Sequence, residues 1–454
     1  MVHHATKRRS ASGHAIHARR TTKHGAGAFL YTILSALALA LVLAFALPHT
    51  SLSFFGTHAD QSTPTALPSA TPEDTTETSE PQVEQPTPSP DPITQFDIVS
   101  AGDILPHGAV LVSAKASGTY DFVSLMEPVA QFINGAGLAL CHMEVPSAAP
   151  GGKPSGYPHF SAPAQMVPEI RRAGWDGCSS ASNHSADQGR PGIVDTLNAF
   201  DAAGLGVSGT ARSPETATPQ FYEVKVDEKT VRIAHISVTN ILNASAVKGF
   251  IPARWELNRS TPDEVIEQAR LAREQGADLV LVSVHDGQEY SSQPTEAQKA
   301  YVQALADSGE IDATIGHHAH VPQPITKLAG GPQGDGMWAA YGLGNFLSNQ
   351  DSDCCVAQTS NGLLYFLHVE VGPDLEAHIT GASWRATTVD RLGGHRVLDL
   401  SALAQEHTGA GTLSAQDIET RYQQVRDVVG DEASELTDFI PSDATVTVVP
   451  RAGS

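Results

Sequence analysis

The stretch Ala313-Thr314-Ile315-Gly316-His317-His318-Ala319-His320-Val321 places three imidazoles within four residues, directly after a short apolar run. Side chains alternate between the two faces of a strand, so His318 and His320 face the same way if the segment stays extended. Neutral imidazole is the commonest nitrogen ligand of Zn, Fe, Mn and Ni in proteins. The sequence therefore predicts a metal-binding pair at a strand end, with a histidine-rich surface loop as the alternative. We interpret His317 as a neighbour of this pair and not as a ligand.

Oxygen and nitrogen donors also follow four earlier apolar runs. These donors are Asp103, Glu144, the pair Asn183-His184, and His285. Each lies just past the C-terminal end of its run, which is where ligands bind in open α/β sheets. Asp and Asn are ordinary turn residues as well, but turns alone do not account for the same arrangement at five separate runs. We therefore predict that these side chains converge with His318 and His320 on one site.

The donor set is typical of two-metal phosphoester hydrolysis, in which a carboxylate is shared by two divalent cations. The ligands predicted for the first cation are Asp103, Glu144 and His320. Those predicted for the second are Glu144, Asn183, His285 and His318. Glu144 would bridge them, and the mixed oxygen and nitrogen ligands favour one or two ions of Mn, Fe or Zn over Mg or Ca. His184 is predicted to be catalytic, by giving a proton or hydrogen bond to the leaving oxygen.

Further polar side chains are expected to form the substrate pocket around this centre. They are His107, Glu289, Tyr290 and Asn345. His142 and His159 are additional candidates for the pocket, whereas His235 lies in the middle of a predicted strand and is expected in the core.

Composition excludes some classes of partner. The 454 residues carry a formal net charge of −22, and nucleic acid binding needs a basic face, so nucleic acid is not an expected partner. The four cysteines, Cys141, Cys178, Cys354 and Cys355, contain no CxxC pair and are too few to build a disulfide-based fold. Cys141 and Cys178 each end an apolar run, so adjacent strands and a bridge are one alternative; buried free thiols are the expectation.

The first hundred residues predict a membrane anchor and a stalk. Residues 1–28 are basic and contain no acid, and residues 29–48 are uncharged and almost wholly apolar. Twenty helical residues span about 30 Å, which matches a bilayer core, and the flanking charges place the N-terminus in the cytoplasm. A cleaved signal peptide is the alternative to this uncleaved, single-pass anchor. Residues 49–95 are rich in Pro, Thr and Glu and are expected to form a disordered linker.

The remainder alternates short apolar runs with helical patterns, which predicts an α/β fold. A helix is predicted near 122–134, and another over 262–275, where Thr261 and Glu264 form a capping box. We predict one domain over 96–375 and a polar C-terminal extension over 376–454.

Six blocks, in order, carry a family resemblance. They are GDI (102–104), HMEVP (142–146), SNHSADQG (182–189), HDGQEY (285–290), GHHAHVPQ (316–323) and YGLGNF (341–346). Together they resemble the CapA family, which is associated with synthesis of capsule, notably poly-γ-glutamate, within the calcineurin-like metallophosphatase superfamily. The resemblance implies a metallophosphatase-like sandwich of two sheets flanked by helices (αββα), facing the outside of the cell, with the metal and catalytic positions falling on the residues named above. Two departures are Leu105, where the superfamily usually has His, and Glu144, where it usually has Asp.

Two functions are compatible with this pattern. The first is an anchored extracellular metal-dependent phosphoric ester hydrolase that acts in the metabolism of an anionic capsule or envelope polymer. The second is a non-catalytic polymer-binding, export or scaffold subunit that works with membrane synthetase subunits. A receptor or adhesin whose domain binds no metal is a third alternative.

Overall fold

The structure of this protein is a computed structural model, and it describes residues 93–243, 250–373 and 376–451. All of them belong to the compact unit Pro86–Ser454. Within this described part of the chain, no helix has both the length and the apolar character needed to cross a bilayer.

The predicted N-terminal segments fall almost entirely elsewhere. The arm 1–28, the span 29–48 and the linker up to residue 92 lie outside the described residues, so these assignments stay predictions. The first strand already begins at Thr94, inside the expected linker. Its side chains alternate between buried and exposed at this end, which is the pattern of a half-buried strand.

The described residues form eighteen strands and nine α-helices. The strands are β1 (Thr94–Ile104), β2 (Lys115–Ala116), β3 (Thr119–Tyr120), β4 (Leu138–Met143), β5 (Gly177–Ser179), β6 (Gly206–Ser208), β7 (Gln220–Val226), β8 (Lys229–Thr239), β9 (Leu279–His285), β10 (Ala313–His317), β11 (Ile325–Leu328), β12 (Met337–Ala340), β13 (Asn345–Leu347), β14 (Asn361–Val371), β15 (Ala377–Asp390), β16 (Arg396–Asp399), β17 (Ser434–Glu435) and β18 (Thr445–Val449). The helices are α1 (Gly108–Ser113), α2 (Val123–Met126), α3 (Ala130–Asn134), α4 (Met166–Arg172), α5 (Gly189–Ala203), α6 (Pro262–Glu274), α7 (Glu296–Asp307), α8 (Leu400–Gln405) and α9 (Ala415–Val429).

The helices predicted over 262–275 and near 122–134 show how local sequence starts and interrupts a helix. Helix α6 begins as expected, with the Thr261 hydroxyl accepting a hydrogen bond from the backbone N–H of Glu264 and the Glu264 side chain bonding back to Thr261. The single helix expected near 122–134 is instead α2, a 3₁₀ turn at Glu127–Val129, and α3. Pro128 within that turn has no N–H to donate and its ring clashes with the preceding turn of an α-helix, which interrupts the run.

Two large sheets carry the fold. The first has the order β16-β15-β14-β1-β4-β5-β6, with β13 beside β1 and β17 beside β15. The second has the order β11-β12-β10-β9-β8-β7-β18. Strands β1, β4, β5 and β6 are parallel neighbours, and so are β8, β9, β10 and β12. Parallel neighbours end at the same edge of a sheet, so each sheet gathers several C-terminal strand ends at one rim.

An apolar core between the sheets holds them together. It joins Ile98 and Leu140 of the first sheet to Leu281 and Ile315 of the second, and all four are at most 1% exposed. Burying a side chain of this size contributes about 1.5–3 kcal/mol. A second core packs α2 to α5 on the outer face of the first sheet, and a third packs α6 and α7 on the outer face of the second. The predicted α/β sandwich of two sheets flanked by helices is confirmed in this part of the chain.

The expected boundary at residue 375 does not separate two structural parts. Strand β15, within the predicted extension 376–454, pairs with β14 along its length. Strand β18 pairs with β7 and closes an edge of the second sheet. The extension therefore belongs to the same two-sheet structure as the predicted domain.

The cysteines correct another expectation. Cys141 and Cys178 are neighbours across β4 and β5 and form a disulfide, so they are not free thiols. Cys354 and Cys355, which are adjacent in sequence, form a second one.

Candidate metal centre

The site lies where strand ends from the two sheets meet, and two glycines permit the approach. A Cβ atom on Gly102, beside Asp103, would lie 2.1 Å from the carbonyl oxygen of Gly344. A Cβ atom on Gly316 would lie 2.0 Å from the carbonyl oxygen of Tyr341. Real Cβ atoms do not tolerate such distances, because atoms in protein interiors are already close-packed. Glycine at these two positions lets neighbouring backbone segments bring the donors together.

The histidine stretch is not extended, contrary to the expectation from its spacing. Strand β10 ends at His317, and both His318 and His320 have left-handed backbone angles, with φ of 87° and 58°. Non-glycine residues rarely adopt positive φ, and such strain is concentrated at functional sites. Both side chains are nevertheless buried beside Asp103, whose Oδ2 accepts a hydrogen bond from the backbone N–H of His318 at 3.3 Å.

Asp103, Glu144 and His320 form the first cluster that can hold a cation. Each offers one ligand atom, and these atoms all lie within 4.8 Å of one another. Nδ1 of His320 is 3.1 Å from Oδ2 of Asp103, and its Nε2 is 3.8 Å from Oε1 of Glu144. All three residues are at most 2% exposed. The structure therefore brings together the three ligands predicted for the first cation.

The protein satisfies the buried carboxylates only in part. Oδ1 of Asp103 and both carboxylate oxygens of Glu144 lack a hydrogen-bond partner. Leaving buried charged groups unpaired costs several kcal/mol, about 3–5 in measured cases. A divalent cation between them would remove this cost, so the residues present fit a metal.

Burial and neighbouring charges shift the pKa values of Asp103, Glu144 and His320 in different directions. Burial favours the protonated form of Asp103, but the neighbouring His317 and His320 outweigh it and hold its pKa well below the usual value. Burial raises the pKa of Glu144 to about 7. Burial disfavours the charged form of His320, yet the carboxylates of Glu144 and Asp103 raise its pKa to about 9. Without a cation, the proton on His320 neutralises part of the carboxylate charge.

Asn183, His285 and His318 form an adjoining group. Nε2 of His285 lies 2.9 Å from Oδ1 of Asn183, and the rings of His285 and His318 are 4.8 Å apart. Burial lowers the pKa of His318 to about 3, which keeps its ring neutral and able to bind a metal. Three of the four ligands predicted for the second cation thus lie together, and the bridging role of Glu144 stays a prediction.

His142 and His317 belong to the centre, although the sequence interpretation left them out of the ligand set. Together with Asp103 they form a second cluster with metal-binding spacing. Nδ1 of His317 lies 3.3 Å from Oδ1 of Asp103, and the rings of His142 and His317 stack at 3.9 Å. Neither ring nitrogen of His317 has a hydrogen-bond partner, so this residue is not a satisfied neighbour. One signal for His142 was available: it lies two residues before Glu144, and alternate side chains of an extended segment face the same way.

His184 is held by a carboxylate that the sequence analysis did not assign. Its Nδ1 lies 2.7 Å from Oδ2 of Asp187, and that same oxygen accepts a hydrogen bond from the backbone N–H of Phe160 at 2.8 Å. Burial disfavours the charged ring, but the hydrogen bond to Asp187 and the charge of Glu144 raise the pKa of His184. The Phe160 ring packs edge-on against His184 at 4.9 Å. The pair has the geometry of a general acid and the group that orients it.

A cavity of about 500 Å³ opens onto these groups. His184, His320 and three of the expected pocket residues, His107, Glu289 and Tyr290, line it. Tyr157, Phe160 and the Cys354–Cys355 disulfide form other parts of its wall.

Asn345, the fourth expected pocket residue, is placed differently. It is fully buried and absent from the cavity wall, and its Oδ1 accepts a hydrogen bond from Nδ1 of His320 at 3.1 Å. Its amide group in turn donates to Gln350 and to the carbonyl of Thr359. Asn345 thus orients His320 so that Nε2 faces Glu144. His235 is buried in the core, as expected.

Comparison with known proteins gives one family match. Residues 97–350 match the family model described as bacterial capsule synthesis protein PGA_cap. Over 193 residues the chain is 31% identical to the capsule biosynthesis protein CapA of Bacillus anthracis, covering 42% of this chain and 44% of that protein. Over 193 residues it is 30% identical to the PGA biosynthesis protein CapA of Bacillus subtilis (strain 168), covering 42% and 47%. The chain spans less than half the length of these curated relatives.

Solved structures that resemble this chain share a lower sequence identity with it. A calcineurin-like phosphoesterase from Bacillus subtilis has 15% sequence identity and a TM-score of 0.41, covering 74% of this chain and 97% of that one. A phosphatase from Mycoplasma pneumoniae has 14% identity and a TM-score of 0.38, covering 64% and 94%.

Proposed function

This chain belongs to the family of bacterial capsule synthesis proteins that includes CapA, and we propose that it is a metal-dependent phosphoesterase acting in the biosynthesis of a poly-γ-glutamate-type capsule polymer. The observation that supports the activity is the buried cluster of Asp103, Glu144 and His320, in which three of the four carboxylate oxygens lack a hydrogen-bond partner, beside a cavity that His184 lines. The polymer is proposed from the names of the relatives, one of which is a PGA biosynthesis protein.

The roles of the residues follow from their positions. A divalent cation, with Mn, Fe or Zn best suited to these ligands, would polarise a phosphoryl oxygen and lower the pKa of water. His184 lines the cavity and would donate a proton to the leaving oxygen, with Asp187 holding Nδ1 so that Nε2 faces the substrate. Phe160 shields the ring of His184 on one side. Tyr290 and Glu289 would contact the part of the substrate that extends out of the cavity.

We also propose that the described domain is anchored outside the cell. The apolar segment 29–48 would span the membrane once, with the basic segment 1–28 in the cytoplasm and residues 49–92 as a spacer. This location matches a partner that is an envelope polymer or a phosphorylated precursor of it.

The test is metal analysis and hydrolysis by the full-length chain. We expect one or two divalent ions per chain and Mn-dependent hydrolysis of an aryl phosphodiester or aryl phosphate, with both properties lost in His320→Ala. A matched control is His407→Ala, at an exposed position, which should behave as wild type. A protein that binds no divalent metal would exclude the proposal.

A second function is favoured by one observation, the side chain of Leu105. It is buried at 2% exposure and occupies the position two residues after Asp103, where the metallophosphatase superfamily usually has a histidine. A non-catalytic subunit that binds the polymer through the metal, alongside synthetase or export subunits, would need fewer ligands than a hydrolase. Metal binding without hydrolysis of either ester, together with metal-dependent retention of poly-γ-glutamate, would select this function.

A further inference from the structure

The side chains of Asn183, His285, His142 and Ser179 form a buried hydrogen-bond chain next to the metal centre. Nδ1 of His285 lies 3.0 Å from Nε2 of His142, whose Nδ1 lies 2.7 Å from the hydroxyl oxygen of Ser179. The Ser179 hydroxyl also reaches the carbonyl oxygen of Cys141 at 3.4 Å. At the other end, Nε2 of His285 faces Oδ1 of Asn183 at 2.9 Å. His142, Ser179 and His285 have no exposed surface.

Both ends of this chain can only accept hydrogen bonds. The carbonyl of Cys141 has no proton, and Asn183 is oriented with its amide nitrogen towards Asn243, which leaves Oδ1 facing His285. Each neutral imidazole carries one N–H and the hydroxyl carries one O–H. Three protons are therefore shared by four contacts, and one contact must go without a hydrogen bond.

Two arrangements avoid placing two lone pairs or two protons opposite each other in the contacts of His142 with His285 and with Ser179. In the first, Nε2–H of His285 donates to Asn183, Nε2–H of His142 donates to Nδ1 of His285, and the Ser179 hydroxyl donates to Nδ1 of His142. In the second, the two middle bonds are reversed, the bond to Asn183 is lost and a bond to the carbonyl of Cys141 forms. Nδ1–H of His285 then donates to His142, Nδ1–H of His142 donates to Ser179, and the hydroxyl donates to Cys141.

The two arrangements differ in what His285 presents to the site. The first directs a proton at Oδ1 of Asn183. The second leaves two lone pairs 2.9 Å apart, one on Nε2 of His285 and one on Oδ1 of Asn183, which repel unless a cation lies between them. Each group keeps one proton in both arrangements, so the change from one to the other releases no net proton.

We propose that His142 and Ser179 are positioning residues that switch the tautomer of His285 together with metal binding. Without metal this hydrogen-bond chain takes the first arrangement, and with metal it takes the second. Metal-binding histidines commonly donate their other N–H to a partner that fixes the tautomer, and here that partner is a second histidine held by a serine. This inference rests on the proposed metal site.

The alternative role for His142 is direct ligation. Its Nε2 lies 4.0 Å from Oδ1 of Asp103 and shares a cluster with His317. That role requires a free lone pair on Nε2 of His142. In both arrangements of the hydrogen-bond chain, however, this atom is used for the contact with His285. The two roles predict different consequences when His142 is replaced.

The experiment measures histidine tautomers directly. The full-length chain is labelled with ¹⁵N-histidine, and long-range ¹H–¹⁵N correlation spectra are recorded without metal and with Zn²⁺, with signals assigned by comparison with His142→Gln. We expect both His142 and His285 to change from Nε2–H to Nδ1–H on addition of Zn²⁺. Zn²⁺ binding with His142 remaining Nε2–H would overturn the inference and leave the metal site in place. Absence of Zn²⁺ binding would overturn both.

Binding measurements on three variants complete the test. A glutamine carbonyl can accept a hydrogen bond where Nε2 did, so His142→Gln should keep the Zn²⁺ affinity within about threefold, whereas His142→Leu should lower it about 10–100-fold with unchanged stoichiometry. Ser179→Ala, a smaller change in the core, should lower the affinity in the same direction. Loss of one whole equivalent of metal in both His142 variants would show that His142 is itself a ligand and would overturn the inference.

Discussion

Nδ1 of His184 lies 2.7 Å from Oδ2 of Asp187, three residues further along the chain. Oδ2 of Asp187 is fixed in turn by the backbone N–H of Phe160. The imidazole therefore has one orientation, with Nε2 directed at the cavity that the metal cluster borders. A catalytic role for His184 depends on this arrangement, because the negative charge of Asp187 raises the pKa of His184 and so favours the protonated ring that a general acid needs.

Asp187→Asn should lower the hydrolysis rate about 100-fold, the size of a typical general-acid contribution. Metal content should be unchanged, because Asp187 is not a member of either candidate ligand cluster and its carboxylate bonds to His184 and Phe160. Steady-state hydrolysis of an aryl phosphodiester and elemental analysis check both. The control is Asp195→Asn on α5, which is half-exposed and should retain activity. A fully active Asp187→Asn protein would remove His184 from the mechanism.

Glu144→Gln should affect the metal-free and metal-bound proteins in opposite ways. Both oxygens of the buried Glu144 carboxylate lack partners, so a neutral amide of the same shape should stabilise the metal-free protein by about 1–3 kcal/mol. The stabilisation that Mn²⁺ gives to the wild type should disappear. Urea unfolding in EDTA and in Mn²⁺ measures both quantities.

A matched control for that variant is Glu169→Gln. Glu169 is also buried, but its carboxylate accepts a hydrogen bond from the backbone N–H of Phe122 and pairs with Arg172. Its replacement should destabilise the protein and leave the response to Mn²⁺ intact. The same effect from both substitutions would contradict the assignment of Glu144 as a ligand.

Gly102→Ala should destabilise the protein by about 3 kcal/mol or more, because the added methyl group would overlap the backbone of Gly344. Asp103 is the next residue, so metal affinity should fall as well. Gly108→Ala, at the exposed start of α1, meets no atom within 4 Å and should be neutral or slightly stabilising. Denaturant unfolding and Mn²⁺ titration distinguish the two variants, and equal stability would contradict the close approach of β1 to residue 344.

His235 should make the folded state sensitive to acid. Complete burial lowers the pKa of His235 to about 3, whereas an unfolded histidine has a pKa near 6.5. Below pH 6.5 the unfolded state therefore binds a proton that the folded state does not, and stability falls with decreasing pH. Between pH 7 and pH 5 this difference amounts to about 2 kcal/mol.

His235→Gln should remove that part of the acid sensitivity. Unfolding by urea at pH 7 and pH 5, in EDTA, should show a loss for the wild type that is about 2 kcal/mol larger than for the variant. His407→Gln, at an exposed position, should follow the wild type. Parallel pH dependence of wild type and His235→Gln would show that the ring is not buried in solution.

Much of the candidate site could be predicted from local patterns. Asp103, Glu144 and His320 each follow an apolar run, and the structure places them in one cluster. Strand ends could be recognised because apolar runs have a length and a period that do not depend on the rest of the chain. The alternation of these runs with helical patterns predicts an α/β fold, whereas the two-sheet sandwich was expected only from the family resemblance.

Other features depend on contacts between segments far apart in sequence. The role of Asp187 needs its distance to His184, and the place of Asn345 behind His320 needs the pairing of β13 with β1. The Cys141–Cys178 bridge follows from the register of β4 with β5. Strand register is fixed by packing and turn geometry over the whole sheet, so a single sequence does not reveal it.

The sequence by itself determined which candidate ligand side chains follow apolar runs, because residue type and apolar periodicity are local properties. Only the tertiary structure decided that His317 lies against Asp103 and that His142 contacts His285. It also decided that His318 and His320 reach the site through left-handed backbone angles and not through an extended strand. The physical reason is that ligand geometry and hydrogen-bond direction arise between elements, where close packing of two sheets fixes distances that no local pattern encodes.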